Sequence, residues 1–231
     1  MTKRFEDLAE KVLLIAIFSF LALTQAVTVR ATIQFRDTID FWQLTLTSRV
    51  FSLIFLLMVV VFTLTRLPPR DSAAGIEPRV TAIAGTFAMM LLVVLPTAQA
   101  GYEFRLLAAI LIVTGTVLSI LCLYWLGRSF SILASARRLV THGPYAIVRH
   151  PLYVAEAVTV TGVVIANWSP AAAALGAGTF LLQVRRMLNE ERVLRAAFPE
   201  YEAYAARVPM ILPRPSIAWL KPRRHSTSGG D

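Results

Sequence analysis

Charged residues are scarce in this chain: Asp, Glu, Lys and Arg make up 16% of its 231 residues, against about 25% in an ordinary soluble domain. Hydrophobic residues make up 56%, and the mean hydropathy is +0.63. This balance excludes a typical soluble domain and predicts a multi-spanning membrane protein.

Cysteine and histidine are also rare. The single cysteine, Cys122, lies in an apolar run, which excludes an intrachain disulfide and argues against a thiolate metal cluster. The three histidines, His142, His150 and His225, lack the spacing of the usual metal ligands, so no metal is expected. No G-x-G-x-x-G motif follows a predicted strand, which excludes a soluble Rossmann-type enzyme. The net charge is +9, but the basic residues lie beside apolar runs, so nucleic-acid binding is not expected either.

Six apolar segments approach the ~20 residues that a helix needs to cross a bilayer. They predict an all-α, polytopic integral membrane protein with about six transmembrane helices. They are residues 12–29, 50–65, 80–98, 106–126, 152–167 and 171–184. The first segment resembles a secretory signal, but it continues past Ala26, which favours a retained signal anchor. The last two are short and joined only by residues 168–170, which predicts a tight C-terminal helical hairpin.

Lys and Arg positions predict the orientation, because positive charge stays on the cytoplasmic side. With six spans and both termini cytoplasmic, 19 of the 23 Lys and Arg residues fall inside. The membrane would be the inner membrane in a bacterium or the endoplasmic reticulum in a eukaryote. Three regions are expected: a transmembrane region at 1–126, a region holding the motifs described next at 127–213, and a basic, disordered tail at 214–231.

The first motif is GPYAIVRHPLY at residues 143–153. Gly143-Pro144 predicts a turn, and His150-Pro151 predicts a helix start, since proline is tolerated at the first helical position. Tyr153 then shares a helical face with His150, and Glu156 lies one turn deeper. Ionisable groups at a membrane boundary are costly unless they have a function, so this boundary is interpreted as an active site. The alternative is that the tyrosines are interfacial anchors and the arginine a snorkelling cation.

The second motif places Glu190-Glu191 after Arg185-Arg186. Arg186 and Glu190 are four residues apart, so a helix-surface ion pair is the alternative to a functional role. Leu194 and Phe198 continue a helical stripe that Pro199 ends, which predicts a cytoplasmic amphipathic helix able to close a pocket.

Together, the two motifs resemble the C-terminal signature of the isoprenylcysteine carboxyl methyltransferase family, which is grouped with the phospholipid methyltransferases. The resemblance covers residues 137–213 and implies an integral-membrane methyltransferase that uses S-adenosyl-L-methionine. It assigns substrate contact and catalysis to Arg186. The residues that it implies for the cofactor are Arg137, Arg138, Leu139, Val140, Tyr145, His150, Pro151, Leu152, Tyr153 and Glu190.

The chain departs from the family pattern at three positions. Ala155 stands where a glycine is usual, and Arg137 stands where some members have histidine. Glu156 stands where eukaryotic members carry an aromatic residue, so it is a candidate substrate contact that bears on acceptor identity.

Carboxyl O-methylation of an isoprenylcysteine-like or other lipophilic substrate, entering from the bilayer, is the leading expectation. A carboxylate is already ionised at neutral pH and needs an orienting cation, which suits Arg186. Phospholipid N-methylation, with Glu156 or Glu190 as base, and small-thiol S-methylation stay open. A transporter or scaffold is the alternative of another class, but the chain shows no inverted repeat or matching pair of broken helices.

Overall fold

The computed structural model describes residues 2–94 and 101–213, without the side chains of residues 2–6, 93 and 94. The end of the third apolar segment and the predicted tail at 214–231 therefore lie outside the described residues. The helices are α1 (Thr2–Gln34), α2 (Trp42–Thr65), α3 (Glu77–Phe87), α4 (Tyr102–Leu126), α5 (Pro151–Ala166), α6 (Pro170–Ala197) and α7 (Tyr201–Arg207). Short 3-10 helices cover Arg36–Thr38, Ala88–Val94, Gly127–Ser129 and Gly143–Ala146.

The predicted helical class holds, with one small exception. Two-residue strands, β1 (Asp71–Ser72) and β2 (Ser135–Ala136), pair antiparallel, with Asp71 opposite Ala136. This pairing fastens the segment after α4 to the segment after α2. It therefore brings the residues that precede the first motif to the end of α2.

The six predicted spans are not confirmed as a set. Within the described residues, three helical stretches are long and apolar enough to cross a membrane: Asp7–Gln34, Trp42–Thr65 and Tyr102–Ser129. The third predicted segment becomes the 11-residue α3 and a 3-10 helix, and α5 has 16 residues. Both α3 and α5 are shorter than the ~20 residues that a spanning helix needs.

The predicted hairpin is present, but its second arm differs from expectation. Ser169 caps α6 by accepting a 3.0 Å hydrogen bond from the Ala172 backbone. The apolar helix and the predicted amphipathic helix are one continuous element, α6. The reason is that no proline interrupts the chain between Pro170 and Pro199, so the helix continues through the charged residues.

Charged side chains separate to two ends of the helical assembly. At one end, Arg66 lies 2.8 Å from both Asp7 and Glu10, which ties the end of α2 to the start of α1. At the other end, Arg105 of α4 pairs with Asp40 at 2.6 Å. The first motif, the start of α5 and the second motif lie at the end that holds Arg66.

Close packing of α4 on α5 fixes the helix that follows the first motif. A Cβ atom at Gly115 would lie 2.3 Å from Thr159 Oγ1 and 2.8 Å from the Ala155 carbonyl oxygen. Only a glycine allows this approach, so Gly115 sets the position of α5.

Candidate active site

A cavity of about 420 Å³ lies between the helices, below the charged end. This volume is within the range of about 300 to 1,000 Å³ of small-molecule sites. Its apolar walls come from the first four helices and the 3-10 helix Ala88–Val94, with residues that include Phe18, Leu21, Phe55, Val59 and Met89. Polar side chains of α4, α5, α6 and the loop before α5 line its other part.

The structure gathers almost all of the predicted site residues around this cavity. The predicted residues that line it are Arg137, Arg138, Leu139, Val140, Tyr145, His150, Leu152, Tyr153, Glu156, Arg186 and Glu190. Pro151 is the exception: it is buried at the first position of α5, where it starts the helix.

The two motifs make direct contact. The Tyr153 hydroxyl donates a hydrogen bond to Glu190 Oε1, and His150 Nδ1 lies 3.9 Å from Glu190 Oε2. The Arg186 guanidinium carbon lies 5.2 Å from the centre of the Tyr153 ring, within cation–π range. Residues more than 30 positions apart therefore form one polar wall.

Arg186 is a buried residue rather than one half of a surface ion pair. Its Nη2 lies 3.4 Å from the Ile132 carbonyl oxygen, and its Nε has no hydrogen-bond partner among the described residues. A Cβ atom at Gly85 would lie 3.0 Å from Arg186 Cδ, so α3 leaves room for this side chain. A buried guanidinium with unfilled donors is suited to bind an anion.

Glu191, next to Glu190, has a structural role. It accepts hydrogen bonds from Arg149 Nε at 2.8 Å and Tyr201 at 2.6 Å, and its Oε1 lies 2.9 Å from His150 Nε2. Arg195 lies 2.9 Å from its other oxygen. Burial acts to raise the pKa of Glu191, but the hydrogen bonds from His150, Arg149 and Tyr201 outweigh it and lower the pKa to about 2.

Helix α7 and the residues directly after it hold the first motif in place. The Tyr204 hydroxyl donates a 2.6 Å hydrogen bond to the Tyr145 carbonyl. The backbone N–H groups of Arg149 and His150 donate to the carbonyls of Pro209 and Met210 at 2.9 and 3.1 Å. The loop that carries Tyr145 and His150 is thus fixed by α7 and by the residues that follow it.

Tyr145 is buried, and this burial raises the pKa of its phenol well above the ordinary value. The side chain therefore keeps its proton at physiological pH and faces the cavity as a neutral phenol. Gly143, two residues earlier, has a φ of +60°, and a Cβ there would lie 2.5 Å from the Trp125 ring. The turn that presents Tyr145 thus requires glycine.

Arg137 has a different surrounding from the one implied by the resemblance. Its guanidinium donates to the Leu67 carbonyl and lies 3.3 Å from Asp7, so it joins β2 to α1 and to the segment after α2. Burial and the nearby Arg66 lower the pKa of Arg137, and they outweigh the hydrogen bond to Asp7, which acts to raise it. Contact between Arg137 and a cofactor stays a prediction.

Sequence reasoning missed the residues that hold the site together. The sequence places Arg149 among the ionisable groups of the predicted boundary site but assigns it no specific contact, and it assigns no role to Glu191, Tyr201 or Tyr204. The available signal was the run of charged and aromatic residues at 190–204, whose partners lie in the first motif.

Comparison with known proteins supports the sequence interpretation. Residues 104–201 match the family model described as phospholipid methyltransferase. This range contains both motifs and runs from α4 to the first residue of α7. The resemblance drawn from residues 137–213 is therefore confirmed over the part that this match covers, residues 137–201.

Two curated relatives match a shorter part of the chain. The cobalt-zinc-cadmium resistance protein CzcN of Cupriavidus metallidurans is 41% identical over 80 residues, which is 34% of this chain and 37% of the relative. The nickel-cobalt-cadmium resistance protein NccN of Alcaligenes xylosoxydans xylosoxydans is 40% identical over 80 residues, 34% of this chain and 38% of the relative. The matches therefore span little more than a third of either relative.

Proposed function

We propose, taking the family match at residues 104–201 as the premise, that this chain transfers a methyl group from S-adenosyl-L-methionine to a lipophilic acceptor that carries a carboxylate, such as an isoprenylcysteine. One observation supports this most: both motifs line a single cavity that is polar beside Glu190 and Arg186 and apolar among the first four helices. Such a cavity suits a charged cofactor next to a lipid-like acceptor.

The side chains around Glu190 fit the chemistry of the cofactor. S-adenosyl-L-methionine carries a sulfonium and an ammonium, and the Glu190 side chain, 25% exposed, offers a carboxylate to such a cation. Leu139 and Val140 offer apolar surface to a flat base, and Tyr145 and His150 lie between these groups along the first motif. When bound, the cofactor would supply a sulfonium methyl group: the O–CH₃ bond forms as the S–CH₃ bond breaks, the bonding pair returns to sulfur, and no proton is released.

Arg186 would orient the acceptor. Its planar guanidinium matches a carboxylate, and the Tyr153 ring keeps it against the wall shared with Glu190. The apolar side chains of α1 and α2 would hold the lipid tail and exclude water from the reacting groups. The partners are therefore a lipophilic or prenylated substrate entering from the bilayer and the membrane lipids, with no nucleic acid and no metal.

A second candidate, N-methylation of a phospholipid amine, is favoured by the presence of Glu156 in the same cavity. An amine must lose a proton before it attacks, and Glu156 or Glu190 would accept it. S-methylation of a small thiol has no comparable observation in its favour.

The decisive experiment separates cofactor binding from turnover. Calorimetric binding of S-adenosyl-L-methionine to the purified protein in detergent should weaken about tenfold or more in Glu190→Ala, because a carboxylate facing the cation is lost. Arg186→Ala should bind the cofactor within about twofold of the wild type and lose about a hundredfold in methyl transfer to an S-alkylated cysteine.

Arg185→Ala is the matched control, since Arg185 is adjacent in sequence but its side chain is 61% exposed. It should keep both cofactor binding and turnover. Unchanged cofactor affinity in Glu190→Ala would remove that residue from the cofactor site. Normal turnover in Arg186→Ala would refute its role toward the acceptor.

A further inference from the structure

We propose that Glu156 and Gln183 form a second acceptor subsite that binds an amino group next to the methylated carboxylate. This inference rests on the proposed function and names the acceptor class more closely: a lipophilic α-amino acid with a free amino group. The amino group is bound at this subsite and is not itself methylated.

The polar wall of α5 and α6 consists of two successive contact layers. In the first, the Arg186 guanidinium lies over the Tyr153 ring at 5.2 Å. In the second, Gln183 Nε2 donates to Glu156 Oε2 at 3.2 Å. Glu156 follows Tyr153 by three residues and Gln183 precedes Arg186 by three, so the second layer lies about one turn, ~5 Å, further from Glu190.

The hydroxyl groups around the second layer present acceptor atoms to the cavity. Thr116, Ser119, Thr159 and Thr179 all line it, and each donates its proton to a backbone carbonyl four residues earlier, at 2.7 to 3.3 Å. Their remaining lone pairs can only accept hydrogen bonds. This part of the cavity therefore complements a group rich in N–H donors.

Glu156 adds a carboxylate to this surrounding. Its hydrogen-bond partner among the described residues is Gln183. Arg186 acts on it electrostatically without forming an ion pair with it, so Glu156 has no cation of its own within the described part. A carboxylate within an apolar helix is costly unless a cation compensates it. An acceptor ammonium would supply that cation, and its N–H groups would meet the surrounding lone pairs.

The two layers together define the acceptor. The first offers a guanidinium to a carboxylate, and the second offers a carboxylate to an ammonium about one helical turn away. In an α-amino acid these two charged groups are held on one carbon, so both can be bound at adjacent layers. The carboxylate of a simple fatty acid would engage Arg186, whose charge also acts on Glu156, and would bring no cation for Glu156.

The test compares two acceptors that differ only in the amino group: S-decylcysteine and 3-(decylthio)propanoic acid. The wild-type protein in lipid nanodiscs should use the amino acid with a kcat/KM about tenfold or more above that of the desamino acid. The product should be a base-labile methyl ester. Glu156→Gln should lower kcat/KM for the amino acid about tenfold more than for the desamino acid, and so remove the preference between the two acceptors.

Thr161→Val is the control, because Thr161 lies on the exposed face of the same helix, α5. It should not alter the preference. Equal use of both acceptors by the wild type, an equal loss for both in Glu156→Gln, or methylation on nitrogen would overturn the subsite.

Calorimetric binding of the two acceptors in the presence of S-adenosylhomocysteine gives a readout that does not depend on turnover. If S-adenosyl-L-methionine binds but the amino acid does not bind better than the desamino acid, the subsite alone fails. If S-adenosyl-L-methionine does not bind to the folded protein, the proposed function itself fails.

Discussion

Two adjacent glutamates show how much a single position matters at the scale of the residue. Glu190 and Glu191 lie on the same helix about 100° apart, so they face different surroundings. The side chain of Glu190 is 25% exposed and faces the cavity, whereas that of Glu191 is 4% exposed and has four polar partners. The former is available to a ligand, and the latter holds the first motif against α6 and α7.

The depressed pKa of Glu191 makes a prediction about acid stability. Its pKa is about 2 in the folded protein, below the ordinary carboxyl value of 4.5, so its contribution is present above about pH 4.5 and is lost as the pH falls toward 2. The melting temperature of the wild type should therefore fall between pH 5 and pH 3. Glu191→Gln should lose about 3 kcal/mol of stability at pH 7, because it leaves Arg149 without its buried partner.

Glu191→Gln should also depend less on pH than the wild type between pH 5 and pH 3. Thermal unfolding in detergent, followed by circular dichroism, checks both expectations. Glu202→Gln is the control, since the Glu202 side chain is 71% exposed, and it should melt like the wild type. Equal melting temperatures of Glu191→Gln and the wild type at pH 7 would contradict the structural role.

At the scale of the element, the position of α5 depends on how closely α4 approaches it. Gly115 faces Thr159 and the Ala155 carbonyl across that contact. The sequence shows a glycine within an apolar run, but it does not show which helix lies opposite. The same is true of the clamp formed by α7, whose Tyr204 bonds to Tyr145, 59 positions earlier.

A matched pair of glycine substitutions tests this packing. Gly115→Ala should destabilise the protein by about 1 to 3 kcal/mol, because its Cβ would overlap Thr159 and the backbone of α5. Gly178→Ala should be neutral or stabilise by up to about 1 kcal/mol, since nothing lies within 4 Å of a Cβ there and alanine favours the helix. Chemical or thermal unfolding of both variants in detergent measures the difference, and equal stabilities would argue against close α4–α5 packing.

At the scale of the whole molecule, the charged ends define an orientation. We propose that the end with Arg66, both motifs and α7 is cytoplasmic, as the distribution of Lys and Arg predicts. Asp37 lies in the connection between α1 and α2 at the opposite end, with its side chain 91% exposed. Glu202 lies on α7, also exposed.

Labelling of single cysteines tests this orientation. In a Cys122→Ser background, which removes the only cysteine, Glu202→Cys should react with a membrane-impermeant maleimide only from the cytoplasmic side. Asp37→Cys should react only from the other side. Reaction of both from the same side would contradict the orientation. Reaction of neither in sealed vesicles but of both after detergent is such a result, because both positions would then face the lumen.

The sequence by itself determined the features that depend on local pattern. Low charge and long apolar runs predict membrane helices, Ser169-Pro170 and Pro199 mark the bounds of α6, and the two motifs predict the residues of one polar site. Eleven of the predicted site residues line one cavity. Helical periodicity accounts for the five that lie on α5 and α6, and the other six come from the segment that leads into α5.

The tertiary structure alone decided which groups meet. Arg149 and Glu191 are 42 positions apart and Arg137 and Asp7 are 130 apart, and no local pattern encodes such pairs. Packing also decided that α1 and α2 supply apolar walls of the cavity. The physical reason is that periodicity shows which face of a helix is apolar or polar, whereas only long-range contacts select the partner of that face.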